Sequence, residues 1–388
     1  MNAISSAARL DAAELASVCE DAPRAGFAQH SIIHAAENIK GGVGAYLRDL
    51  LVAQRDSFGP GVVSALVPES QRAMVGSPEG VAIATFDDRG PRVLSTCRLA
   101  LCMRELVEQS RPRVVHLHST FAGAALRPLL RLMGSSARVI YCAHGWAFDR
   151  ESSSLSRRVA EALERHLSRW CHAVVCISQH EMRAATRIGI PPSKLTLVNN
   201  GVPAASPRVV SQTHGLAWPE GKRRVLFVGR FDRQKGTDVL LAALSQLQDS
   251  AFGYLVGDTV LGDDALTSMP PNARTTGWLS PSEIEAFYQS ADIVVVPSRW
   301  EGFGLIAVEA MRAGLPVIAS RVGGLPEIVE DGVTGLLIPP EDTAALVNAL
   351  RDLSYERLSA MGRAGRERFQ RHFTLDRVHR QITELYQP

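Results

Sequence analysis

Several features that define other protein classes are missing from this chain of 388 residues. Its six cysteines, Cys19, Cys97, Cys102, Cys142, Cys171 and Cys176, form no CxxC pair, which argues against a disulfide framework or a thiolate zinc cluster and suits a reducing compartment. The formal charge of +2 is too mild for nucleic acid to be the main partner. No apolar run reaches the roughly eighteen residues of a membrane span. The opening "MNAISSAARLDAAELASVCEDAPRAG" lacks the basic stretch and apolar core of a secretory signal. The expectation is therefore a cytoplasmic protein, with peripheral contact at the inner face of the membrane left open. No DxD occurs, so neutralising the phosphates of any bound ligand would fall to basic side chains, amides and a helix end, with no metal and no cofactor expected.

What is present is a repeated alternation. Short β-branched runs such as "SIIHAA", "RVVHLHS", "RVIYCAH", "RRVLFVG" and "DIVVVPS" alternate with helix-like stretches such as "VGAYLRDLLVAQ" and "GLIAVEAMRAG". Apolar strands alternating with helices indicate parallel sheets covered on both faces. The pattern occurs twice, around a Pro- and Gly-rich join at about residues 201–222. The expected organisation is an N-terminal tail over residues 1–26, a Rossmann-like domain over 27–205, a second over 206–372, and a terminal helix over 373–388 crossing back to the first. Two such α/β domains would face each other across a ligand cleft at the carboxyl ends of their strands.

Two cofactor motifs fail. "GGVGAYL" places Leu47 where a dinucleotide fingerprint needs a third glycine, and "GRFDRQKGT" has its lysine and glycines in the wrong order for a P-loop.

The second half supplies a coherent anion site. Arg230 and Lys235 follow an apolar strand and offer a planar fork and a point charge to a diphosphate; the alternative is a solvated basic turn. Gly302 and Gly304 let backbone approach closely before a helix expected to start near Leu305, whose open N–H groups favour an anion. Inside that helix Glu309 stands between Val308 and Ala310, an expensive place for an unpaired charge. Two vicinal ribose hydroxyls would give it partners; a partly exposed helix-face glutamate is the other reading. Glu301 could accept from sugar hydroxyls. Eight helical residues would separate the two carboxylates by about 12 Å, too far to share a proton, so they fit two parts of one elongated ligand.

Residues 225–340, from "VLFVGRFDRQKG" to "EGFGLIAVEAMRAGLPVIASRVGGLPEIVEDGVTGLLIPP", resemble the donor-binding domain of the retaining glycosyltransferases of family GT4, which have the GT-B fold. The signature is the E-x7-E of Glu301 and Glu309, reinforced by Arg230, Lys235 and the downstream "GGLPEIVEDGVTGLL". The resemblance implies a UDP- or GDP-sugar donor, with Arg230 and Lys235 on its diphosphate, Glu309 at the ribose and Glu301 at the transferred sugar. It also implies backbone contacts near Phe303, Gly304 and Leu305, base contacts around Gly277 to Leu279, and a phosphate-approaching turn at Gly41 and Gly42.

In the first half "RVVHLHS" puts His116 and His118 on one strand face, His118 being the better cleft candidate; either could be a structural histidine. His144, ending "RVIYCAH", resembles the family histidine beside the transferred sugar and acceptor. Trp146 could wall the acceptor or pack in the core. The arginines and apolar residues of "RESSSLSRRVAEALERHLSRW" form a basic, amphipathic helix suited to anionic lipid or to ordinary packing. The implied reaction is retaining hexosyl transfer to a glycan or lipid-linked glycan hydroxyl. Another sugar-nucleotide enzyme of the same fold, such as an epimerase, and a catalytically silent binding protein are the competing readings.

Overall fold

A computed structural model of the protein describes residues 31–149, 153–206, 217–259 and 269–387. The expected N-terminal tail lies outside these residues.

The first sheet contains β1 (Ile32–Ala36), β2 (Val63–Pro68), β3 (Ala82–Phe86), β4 (Val114–His118), β5 (Arg138–Cys142), β6 (Ala173–Cys176) and β7 (Leu195–Leu197). Their order in space is β3-β2-β1-β4-β5-β6-β7. The second contains β8 (Arg223–Val228), β9 (Ala251–Val256), β10 (Ala273–Gly277), β11 (Ile293–Val296), β12 (Val317–Ser320) and β13 (Gly335–Ile338), in the order β10-β9-β8-β11-β12-β13. The resolved pairings between these strands are parallel. The GT-B architecture expected from the sequence is thus present as two doubly wound α/β sheets.

Burial explains why these segments are strands. In β1, β2, β4, β6, β9, β11 and β12 every residue is buried, so both faces are covered and the sequence reads as a mainly apolar run, with buried His34, His116 and His118 among the exceptions. The edge strand β10, "ARTTG", is largely open on its surface and carries polar residues, which suits a strand with a free edge.

The covering helices are α1 (Gly42–Phe58), α2 (Arg92–Ser110), α3 (Thr120–Leu132), α4 (Ser154–Leu167), α5 (Gln179–Arg187), α6 (Thr237–Ser245), α7 (Pro281–Ser290), α8 (Leu305–Ala313), α9 (Leu325–Ile328), α10 (Thr343–Asp352), α11 (Tyr355–His372) and α12 (Leu375–Glu384). Around the second sheet Val225, Phe227, Leu240, Leu244, Ile293 and Val295 share one core. Each such side chain contributes about 1.5–3 kcal/mol by leaving water. Helix α4 departs from ordinary packing: Leu155, Val159 and Leu163, successive residues of an i, i+4, i+8 row, are 72%, 59% and 42% exposed.

By contact the chain forms two compact units. One takes the chain up to Ala143, then Val159–Val175 and the last residues from Leu385; the other takes His144–Arg158 and Cys176–Glu384. Among the described residues no helix is long and apolar enough to cross a membrane.

Candidate functional site

Strand order fixes where the second unit can bind a ligand. The chain runs outward from β8 to β9 and β10, then returns to place β11 on the other side of β8. At that reversal the loops leaving β8 and β11 diverge, and their carboxyl ends open a crevice. Arg230 and Lys235 follow β8; Ser298 and Glu301 follow β11.

The two loops are joined by charge. Lys235 Nζ lies 2.5 Å from Glu301 Oε2, which also accepts from Ser298 Oγ at 3.3 Å. Arg230 pairs with Asp232 at 3.1 Å and donates to Gln234 Oε1 at 2.7 Å, while Asp232 Oδ1 accepts from the Lys235 N–H. The four charges balance. A diphosphate would therefore exchange partners with Asp232 and Glu301 rather than enter a purely cationic hole.

Glycines let the loops come this close. A Cβ on Gly236, the N-cap of α6, would sit 2.1 Å from the Pro297 carbonyl oxygen, and one on Gly323 would sit 1.6 Å from that of Glu301. Helix α8 begins at Leu305, as its sequence predicts, capped by Gly304 at φ 110° and offering no side chain to its first amides. Open N–H groups and the helix dipole are features that favour an anion at a helix start. Phe303 is buried and meets Phe373 edge-on, which fixes the loop backbone.

Glu309, on α8, is half-buried and accepts from the Tyr288 hydroxyl at 2.8 Å. Gly277 ends β10 at φ 74° and its carbonyl accepts from the Gly257 N–H; Leu279, two residues on, is half-buried.

The second unit also holds His144, a non-glycine residue at φ 54°, followed by Gly145 at φ 111°. A left-handed histidine turn is a sparsely populated conformation that its surroundings must impose. Desolvation lowers the His144 pKa to about 4, so a neutral imidazole is presented near pH 7. Trp146 is buried, stacks on Phe148 and donates from Nε1 to the Glu181 carbonyl; it takes the core alternative, not the acceptor wall.

The remaining candidates belong to the first unit. Gly41, at φ 78°, caps the exposed start of α1 at Gly42. His118 is wholly buried. Register pairs His34 with His116 across β1 and β4, and the ligand nitrogens of His34, His116 and His118 lie within 4.8 Å of one another. They fit a hydrogen-bonded chain better than a metal centre. His34 Nε2 donates to Gln54 Oε1 at 2.7 Å, so its Nδ1 accepts from His118 Nε2 at 2.9 Å, with the two rings only 13° from parallel. Gln54 donates its amide to the Tyr386 hydroxyl, which in turn donates to His116 Nδ1 at 2.8 Å. Burial brings the His34 pKa down to about 4, so this histidine is neutral near pH 7.

Sequence reasoning missed Asp232, Ser298, Tyr288 and Glu181. Only Glu181 left a signal, the helix-start pattern S-x-x-E of Ser178 and Glu181.

Comparison with known proteins bears on all of this. Residues 40–206 match the family described as Glycosyltransferase Family 4, and residues 222–355 match Glycosyl transferases group 1. A Klebsiella pneumoniae protein, described as an uncharacterized 41.2 kDa protein in the cps region, is 31% identical over 328 residues, 82% of this chain and 89% of its own. The fold is similar to that of sucrose-phosphate synthase from Thermosynechococcus elongatus, with a TM-score of 0.78 at 23% identity, over 92% of this chain and 98% of the other. It is also similar to an Anabaena protein solved in complex with UDP-glucose, with a TM-score of 0.74 at 22% identity, over 91% and 98%.

Proposed function

The chain belongs to the family 4 glycosyltransferases, and on that premise we propose that it transfers a hexosyl unit from a UDP- or GDP-sugar to an acceptor hydroxyl, with retention of anomeric configuration and without a metal. One observation carries this reading: a Lys235–Glu301 pair, with Arg230 beside it, bridges the two loops at the strand-order reversal and stands before the open amides of α8. The UDP-glucose held by the Anabaena protein supports a nucleotide-sugar donor, and the cps-region relative supports a glycan acceptor.

In the reaction the bond from sugar C1 to the β-phosphate oxygen breaks and a bond from C1 to the acceptor oxygen forms. The acceptor proton passes to the leaving phosphate on the same face, and nucleoside diphosphate departs. Negative charge growing on the phosphate is met by Arg230, Lys235 and the α8 amides, a preorganised set of the kind that lowers barriers by several kcal/mol. Glu309, steadied by Tyr288, takes the ribose hydroxyls; Glu301 and the neutral His144 take the sugar. Gly41 and Gly42 give backbone access to the phosphates, and the region from Gly277 to Leu279 meets the base.

Acceptor delivery at a membrane surface is supported by α4, where Leu155, Val159 and Leu163 form an exposed row flanked by Arg158 and Arg165. Sedimentation with anionic but not neutral vesicles tests it, and equal sedimentation with both removes it. For the reaction, nucleoside diphosphate release from a panel of UDP- and GDP-sugars is followed with candidate acceptors. Acceptor-stimulated release, with an axial or equatorial product that matches the donor anomer by NMR, is expected; inversion or acceptor-independent binding alone would overturn it.

A further inference from the structure

We propose that Glu181 is a positioning residue whose buried side chain clamps the strained His144–Gly145 turn to Gly302 of the donor loop, and so sets where the His144 imidazole meets the transferred sugar. The inference rests on the donor-site reading above and names a residue that reading does not use.

Glu181 is 1% exposed, in the first turn of α5, where its own N–H is capped by Ser178 Oγ at 3.1 Å. Its side chain turns away from solvent. Oε2 accepts from the Ile177 N–H at 3.0 Å. Oε1 makes no full hydrogen bond among the described residues, yet it sits 3.4 Å from the point a Cβ on Gly302 would occupy. The same point is 3.3 Å from the Gly145 Cα and 3.5 Å from the Gly145 nitrogen. Gly302, Gly145 and the carboxyl therefore converge within van der Waals reach of one point, which leaves little room for an added side chain. Glu181 also holds this segment through its backbone, since its carbonyl accepts from Trp146 Nε1 at 3.0 Å. One bond from this residue, at Trp146, thus grips the chain on the far side of His144.

A solvent-facing capping glutamate would need none of this. Burial costs a carboxylate far more than its bond to the Ile177 N–H and its looser approach to the Gly145 N–H return, and the Glu181 pKa rises to about 8. The clamp is a neutral acid at pH 7. The charged and titratable groups around it are few. His180 and Asp149 pair with each other beside it, the neighbouring Cys176 thiol is pushed upward partly by Glu181 itself, and His144 is neutral. Glu327 accepts from the Gln179 and His180 N–H groups at the helix start, and Glu301 precedes Gly302.

Ionisation places a charge among these groups and loosens the turn. Because the folded pKa lies above its usual value, the associated stability is present in full below about 4.5 and is lost as pH rises through about 8.

Hydrogen exchange read by mass spectrometry on peptides covering residues 142–149 and 299–304 tests the clamp without any substrate. Wild type, Glu181→Gln and Glu181→Ala are compared at equal pH, which cancels the intrinsic exchange rate. The wild type should lose protection in both peptides between pH 7 and pH 9, about 10-fold, while Glu181→Gln keeps its protection at pH 9. Glu181→Ala should be unprotected at both values. Turnover of UDP-glucose or GDP-mannose should follow, with kcat falling about 100-fold in Glu181→Ala and an alkaline limb near pH 8 that is absent in Glu181→Gln. An unchanged alkaline loss of protection in Glu181→Gln, or protection in Glu181→Ala equal to wild type, overturns the proposal. If Glu181→Ala fails to fold, the Glu181→Gln comparison still decides it. Exchange that behaves as expected in a protein that turns over neither donor upholds the clamp and counts against the donor reading instead.

Discussion

Between the middle of β1 and the end of β4 the first sheet carries a buried hydrogen-bonded chain, running from Tyr386 through Gln54 and His34 to His118. Beyond the carboxyl ends of β8 and β11 the second sheet carries paired charges that remain within reach of water, Lys235 with Glu301 and Arg230 with Asp232. The strand order around the reversal is the same in both. The reversal is thus a property of the winding, while the side chains placed near it differ, hydrogen-bonded and buried in the first sheet and charged and part-exposed in the second.

The sharpest way to break this contrast is to discharge the second site. Arg230→Ala or Lys235→Ala should lower kcat/KM about 10²–10³-fold, the loss typical of removing one preorganised donor, with little change in Tm because part-exposed pairs contribute about 0–1 kcal/mol. Steady-state kinetics beside a melting curve would show it, and a large Tm loss with modest kinetics would mean the charges are structural.

The next effect belongs to the first site. With its pKa held near 4, His34 resists protonation when folded but accepts a proton near 6.5 when unfolded. Stability is therefore present above 6.5 and lost as pH falls through 4, by about 3 kcal/mol from this group. Urea melts between pH 7 and pH 4 should show that slope reduced by about one proton in His34→Gln. An unchanged slope would place the sensitivity elsewhere.

Smaller still, Tyr386→Phe removes the hydroxyl shared by Gln54 and His116. It should cost about 1–3 kcal/mol in chemical melts without altering the donor KM. The smallest is Tyr288→Phe, which removes the hydroxyl bond to Glu309. A rise of about 3–10-fold in donor KM with kcat nearly constant is expected, since one hydrogen bond to a charged group is worth about 1.5 kcal/mol; a fall in kcat alone would move Glu309 away from the ribose.

The contrast was only half legible in the sequence. Strands buried on both faces announce themselves as apolar runs, so β8 and β11 and the loops that follow them could be placed by reading. The edge strand β10 could not, because its residues are chosen for an exposed surface. Arg230, Lys235, Glu301 and Glu309 were found because they lie in short, locally patterned segments. Tyr288 and Asp232 act on them through contacts that no spacing encodes, and Gln54 meets Tyr386 across 332 positions. His118 shows the limit most clearly: alternation placed it on the strand face with His116, but only the partners from β1, α1 and the last residues show that it ends in a hydrogen-bonded chain.

Ligand-induced stabilisation offers the most direct test of the claim that the second site holds the donor. Melting curves are taken with UDP-glucose, UDP-galactose, UDP-N-acetylglucosamine and GDP-mannose, for wild type and the Arg230→Ala, Lys235→Ala double variant. At least one nucleotide sugar at about 100 times its Kd should stabilise the wild type by about 2.7 kcal/mol. That gain should vanish in the double variant. The same gain in both proteins would contradict the assignment, because the donor would then be held without the two cations placed to receive its diphosphate.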